Sequence, residues 1–143
     1  YPGDVFYLHS RLLERAGVRV LRDGWTLLER EGETLTLYGM ERKRPRPLPA
    51  SCPRPVIALA HQPQWLYLYE AAGWDLVISG HAHGGQFRLG RFAVYAPGQG
   101  LFPRYTAGVH HRRPALIVSR GLGNDSPLPR LNNPPELVLV TLR

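Results

Sequence analysis

The chain has 143 residues, which suits one domain and is long enough for a core of several strands and helices. Hydrophobic residues at 43% and charged residues at 20% are ordinary globular usage, which excludes disorder or a coiled coil as a description of the whole. Eighteen Lys and Arg against 11 Asp and Glu give a net charge of +7, a balance that fits an anionic partner or a solvated basic surface equally well. Cys52 is the single cysteine, so an intrachain disulfide and a thiolate metal cluster are both excluded. No apolar run approaches the roughly 20 residues that span a bilayer, and the first residues carry no signal pattern, so a soluble chain is expected, cytoplasmic or peripheral to a membrane. Because residue 1 is Tyr rather than Met, a processed product or a piece of a longer protein is expected.

Residues 4–16 place Val5, Leu8, Leu12 and Leu13 on one helical face, with Asp4 as N-cap and Gly17 as stop. Three short strands are expected at 18–21, 25–31 and 34–40, with turns at Asp23-Gly24 and Glu31-Gly32. Residues 41–55 contain five prolines and a basic cluster and predict an exposed loop. Nucleic-acid binding by this loop is disfavoured, because no aromatic residues alternate with its charges.

Beyond the loop, the apolar runs 56–60 and 75–79 flank a helix at 64–72. Continuous rather than alternating apolar strands predict a parallel or mixed sheet buried on both faces, and hence an α/β fold. Further strands are expected at 92–95, 115–119 and 136–142.

Each of the two apolar strands runs into histidine: Leu-Ala-His61-Gln-Pro and Ile-Ser-Gly-His81-Ala-His83-Gly-Gly-Gln. Ligands collect outside strand ends in α/β sheets, because the backbone stops pairing there and side chains can converge. On an extended backbone His81 and His83 would point to the same side and reach one metal or two adjacent ones, with His61 arriving from the other strand. Gly80, Gly84 and Gly85 would let the backbone turn sharply and approach an ion closely. Arg120 is a candidate contact for a substrate phosphate. His110 and His111, beside two arginines, are expected to be solvated, and Trp25, Trp65 and Trp74 to pack in the core or at its rim.

The segment Ser79-Gly80-His81-Ala82-His83-Gly84-Gly85-Gln86, preceded by Ala60-His61-Gln62-Pro63, resembles the C-terminal metal motifs of the calcineurin-like metallophosphoesterases. With Tyr95-Ala96-Pro97-Gly98-Gln99-Gly100, Ser119-Arg120-Gly121-Leu122-Gly123 and Pro135-Glu136-Leu137, it is similar to a bacterial subgroup often found at the membrane surface. The resemblance implies part of a two-sheet sandwich flanked by helices, holding two divalent ions (Mn, Zn or Fe). It further implies that His61 and His81 serve one ion and His83 the other.

The family's Asp-x-His pair, its bridging Asp and its Gly-Asn-His-Asp/Glu motif do not occur here, so the chain corresponds to a C-terminal half. Asp75, six residues before His81, would lie at the far end of its strand, and Asp125 alone could not complete two coordination shells. The expectation is therefore a phosphoesterase acting on phosphomonoester, phosphodiester or pyrophosphate bonds, with a phosphorylated small molecule or phospholipid-like substrate. This chain alone would be inactive, and an N-terminal half or second chain would complete the site. The alternative is a mononuclear zinc-binding or interaction module with an anion-binding basic loop.

Overall fold

The computed structural model describes residues 3–41, 44–124 and 129–142. The first element is α1 (Gly3–Arg15), so Asp4 lies inside the first turn rather than before it. Gly17 (φ 82°) ends the helix as expected: its N–H donates to the Glu14 carbonyl at 3.0 Å, and the Val18 N–H to that of Leu13 at 2.9 Å. Leu8, Leu12 and Leu13, the predicted apolar face, are exposed.

Strands β1 (Gly24–Arg30) and β2 (Glu33–Met40) form an antiparallel hairpin. Glu31 and Gly32 at its tip both take positive φ (53° and 85°), the twist a two-residue hairpin turn needs. The strand expected at 18–21 does not form. Leu21 crosses over Gly39 instead, so close that a methyl group there would overlap it.

After an irregular segment, β3 (Val56–Ala60) pairs in parallel with β2. A 3-10 turn (Pro63–Trp65) and α2 (Leu66–Ala71) carry the chain over to β4 (Leu76–Ser79), which is parallel to β3. The strand–helix–strand unit read from the sequence is therefore present. Two small hairpins follow, β5 (Arg88–Leu89) with β6 (Phe92–Ala93) and β7 (Tyr95–Ala96) with β8 (Gly100–Leu101), so the single strand expected at 92–95 is split. Strand β9 (Gly108–His110) then runs antiparallel to β10 (Ala115–Val118), which is parallel to β4.

The main sheet has the order β1-β2-β3-β4-β10-β9 and mixed pairing, so the fold is α/β as expected. Residues 136–142 form no strand. Leu137 and Leu139 there are 85% and 90% exposed, so a continuous apolar run alone did not create a sheet partner.

One face of the sheet carries the core. Tyr38, Val56, Ala58, Val77, Leu116 and Val118 pack there with Leu66, Tyr69 and Trp74. The Trp74 ring lies 5.1 Å from Tyr38 and 5.4 Å from Tyr69, between centroids. Trp65 is half-buried and Trp25 exposed, so only Trp74 is central to the core.

The opposite face is covered only in part, which corrects the expectation of burial on both sides. Ile57 and Ile117 are buried, but Leu59 is 42% exposed and borders, with Leu37, Ile78, Leu21 and Met40, a groove of about 480 Å³ that ends at His61. Continuous apolar sequence records that both faces avoid water, not which element of this chain covers them.

Replacing Trp74 by Ala is expected to cost about 3–5 kcal/mol in urea unfolding, because the cavity forms in the middle of the packed face. Trp25→Ala, on an exposed edge, is expected to change stability by less than about 1 kcal/mol.

Candidate metal centre

The parallel pairing of β3 with β4 brings their C-terminal ends side by side. Leu59 lies opposite Ile78, the Ser79 hydroxyl donates to the Ala60 carbonyl at 2.6 Å, and the Gly80 N–H donates to the His61 carbonyl at 3.3 Å. His61 and His81 leave the sheet from this junction. Nε2 of His61 and Nδ1 of His81 are 3.1 Å apart, with ring centroids at 4.8 Å.

Two nitrogens at about 2.1 Å from one cation, seen at tetrahedral or octahedral angles, are about 3.0–3.4 Å apart, and the observed spacing falls inside that range. It is equally the length of the hydrogen bond that the two rings make with each other, so the pair suits two ligands of one ion only once the proton between them is lost. Loss of water around the rings lowers the pKa of both histidines, most for each; the nearby His83 adds to the effect on His61, and His61 and His83 on His81. The neutral ring this favours is the form that offers a lone pair to a cation.

The backbone between the histidines is not the extended chain expected from the sequence. His81 (φ 61°) and His83 (φ 47°) both occupy the left-handed region, followed by Gly84 (φ 71°) and Gly85 (φ 76°). Ala82 between them is fully buried; its N–H donates to the Gly80 carbonyl at 2.7 Å, and its own carbonyl accepts from the Gly85 N–H at 2.7 Å. A left-handed non-glycine residue costs on the order of 1–3 kcal/mol, and two so close together belong to a loop over-determined by its surroundings. His83 does not join the His61–His81 pair. Among the described residues no three His, Cys, Asp or Glu side chains come close enough to hold one ion.

The flanking glycines divide by role. A methyl group at Gly84 would overlap Asn133, and one at Gly85 would overlap Ala93. Gly80 has ordinary φ and no protein atom within 4 Å of where a methyl would stand, so the sharp turn begins after it. Gly98 (φ 71°), in the Ala-Pro-Gly-Gln stretch, presses on Gln64 and lies beside His81: a methyl there would be 3.4 Å from its Nε2.

Asp75 is distant, as the sequence suggested. It sits at the opposite end of β4, accepting from Arg54 at 2.6 Å and from the Val56 N–H at 2.7 Å. Asp125 lies outside the described residues. Arg120 faces Glu136, with Nε 3.6 Å from Oε2. His110 is not solvated: it lies on β9 with its ring edge-on to Tyr105 at 5.0 Å, and burial lowers its pKa. His111 is exposed.

Three side chains absent from the sequence reading meet the histidine loop. The Asn133 amide donates to the His83 carbonyl at 2.5 Å, and Arg88 donates to the Gly84 carbonyl at 2.6 Å. Arg130 places Nη2 3.4 Å from Nδ1 of His83, while the same guanidinium donates to the carbonyls of Arg120, Gly121 and Gly123. No periodicity marks them. A hint lay in Asn132-Asn133-Pro134-Pro135, a polar, proline-bounded stretch too short for an element of its own.

A mixed six-stranded sheet with histidines at the ends of two adjacent parallel strands is compatible with a calcineurin-like fold, and the chain is similar to proteins named metallophosphoesterase and phosphodiesterase. Phosphodiesterase YaeI of Escherichia coli is 31% identical over 144 residues, covering 95% of this chain and 52% of its own length. An uncharacterized metallophosphoesterase of Campylobacter jejuni, Cj0846, is 37% identical over 87 residues, 61% of this chain and 22% of that protein. Another from Aquifex aeolicus is 35% identical over 91 residues, 62% of this chain and 33% of that protein. The chain thus spans about half the length of YaeI and less of the others. No family model and no solved structure matches it.

The lowered pKa values fix a sign for pH dependence. A histidine whose folded pKa lies below its unfolded value of about 6.5 takes up its proton more readily when unfolded, so its contribution is full above pH 6.5 and is lost as pH falls. The metal-free protein is expected to unfold at lower urea concentration at pH 5 than at pH 7. The double variant His61→Gln, His81→Gln should lose less over the same interval; an identical loss would contradict the assignment.

Proposed function

We propose that this chain supplies the imidazole side of a divalent-metal centre in a phosphoester hydrolase, His61 and His81 taking one cation and His83 reaching toward a second. The observation that carries the reading is the 3.1 Å spacing of the His61 and His81 ring nitrogens at the ends of two adjacent parallel strands. When bound, divalent cations activate water and neutralise charge on the phosphoryl oxygens. What the chain itself contributes is a pair of ring nitrogens at the sheet edge, His61 carried by the end of its strand and His81 by a strained loop. Imidazole suits zinc, iron or manganese centres completed by carboxylates, and those carboxylates belong to a further part of a longer protein or to a second chain.

The substrate class is a phosphate ester. A phosphodiester is favoured by kinship with a protein named phosphodiesterase, ahead of a phosphomonoester or pyrophosphate. The proposed phosphate contact remains Arg120, whose guanidinium and backbone N–H both face the Glu136 carboxylate, so an anion there would take over both contacts.

With manganese, a protein joining this chain to the missing carboxylates is expected to hydrolyse bis(p-nitrophenyl) phosphate, and His61→Ala or His81→Ala to lower kcat/KM about 100-fold or more. Turnover indifferent to both substitutions would sink the reading. The alternative, one zinc held by all three histidines, finds no support in the geometry, since among the described residues no three such side chains come close enough to share an ion.

A further inference from the structure

Two consecutive carbonyls of the histidine loop are held by buried side chains from outside it. Asn133, 3% exposed, donates to the His83 carbonyl at 2.5 Å. Arg88, 8% exposed, donates to the Gly84 carbonyl at 2.6 Å through Nη1 and to the Arg91 carbonyl at 2.6 Å through Nη2. Burying a guanidinium and an amide is costly unless their hydrogen bonds are made, and here both are directed at the turn that orients His83.

The backbone around them closes the same connection. The Leu131 N–H donates to the Gln86 carbonyl at 3.1 Å, and the Arg88 N–H to the Leu131 carbonyl at 3.0 Å. The segment carrying Asn133 therefore runs along the outgoing limb of the loop and is fastened to it on both sides of Phe87. The absence of a side chain at Gly84 is what lets Asn133 come this close. Beyond the carbonyls, Arg130 from the same segment faces the His83 ring, and its guanidinium is itself fixed by three carbonyls of residues 120–123.

We propose that Asn133 and Arg88 are positioning residues for His83: they hold its left-handed backbone through the carbonyls of His83 and Gly84, and thereby aim its ring. The inference deepens the metal-centre reading and rests on it for its consequence, weaker capture of a cation by His83. Its geometric content stands apart from any metal. A left-handed histidine released from these bonds relaxes toward negative φ, which swings the side chain away from its present direction.

The variants are Asn133→Asp, which keeps the shape and removes the donor, and Arg88→Lys, which keeps the charge but replaces the two separate guanidinium nitrogens aimed at the Gly84 and Arg91 carbonyls by a single one. Asn133→Ser, a shorter donor, is the fallback should the aspartate variant not fold. In metal-free protein with 15N-labelled histidine, the His83 ring resonances are expected to move in each folded variant, while those of His111 on the far loop stay in place. In a cobalt(II) titration the same variants are expected to weaken binding by about 10–100-fold and to alter the visible absorption bands, as loss of support around a metal ligand does. Unchanged His83 resonances in folded Asn133→Asp and Arg88→Lys proteins would overturn the proposal. Resonances that move while His83→Ala leaves cobalt binding untouched would uphold the positioning role and remove His83 from the metal centre instead.

Discussion

The parallel pairing of β3 with β4 is the constraint on which the rest depends. Parallel strands end at the same edge, so the residues that follow them are delivered to one place. Here those residues are histidines, and the Ser79 and Gly80 contacts to the Ala60 and His61 carbonyls keep the two ends in register after the strand ladder stops. The crossover through Pro63–Trp65 and α2 also has to cover the core face, which it does with Leu66 and Tyr69 against Trp74. The Tyr69 hydroxyl then donates to the Gln62 carbonyl at 2.7 Å, tying the same crossover back to the turn beside His61. Core packing and site geometry are therefore one arrangement.

The second histidine stretch obeys a different physical rule. His61 is placed by its strand, whereas His81 and His83 are placed by a loop whose backbone runs against the preference of their side chains. Such a loop persists because its alternatives are blocked: Ala82 is buried, Gly84 and Gly85 have neighbours where a side chain would stand, and the loop carbonyls are claimed by Asn133 and Arg88. Of the last described segment, Arg130, Leu131 and Asn133 serve this purpose rather than extending the sheet.

Leu37, Leu59 and Ile78 border a groove that ends at His61, so the partly covered face of the sheet opens beside the histidine pair.

The sequence by itself determined the α/β class, the strand–helix–strand unit, the stop at Gly17, the hairpin at Glu31-Gly32 and the candidacy of His61, His81 and His83. These are local: they follow from periodicity, turn chemistry and residues adjacent in the chain. Only the tertiary structure decided that His61 pairs with His81 while His83 stands apart, that His81 and His83 take left-handed backbone, that one sheet face is covered only in part, and that His110 packs against Tyr105. It also decided the roles of Arg88, Arg130 and Asn133, which meet the loop from 4 to 50 residues away. The physical reason is that a buried hydrogen-bonding side chain is defined by its partner, and no feature of the linear chain announces which distant carbonyl it will find.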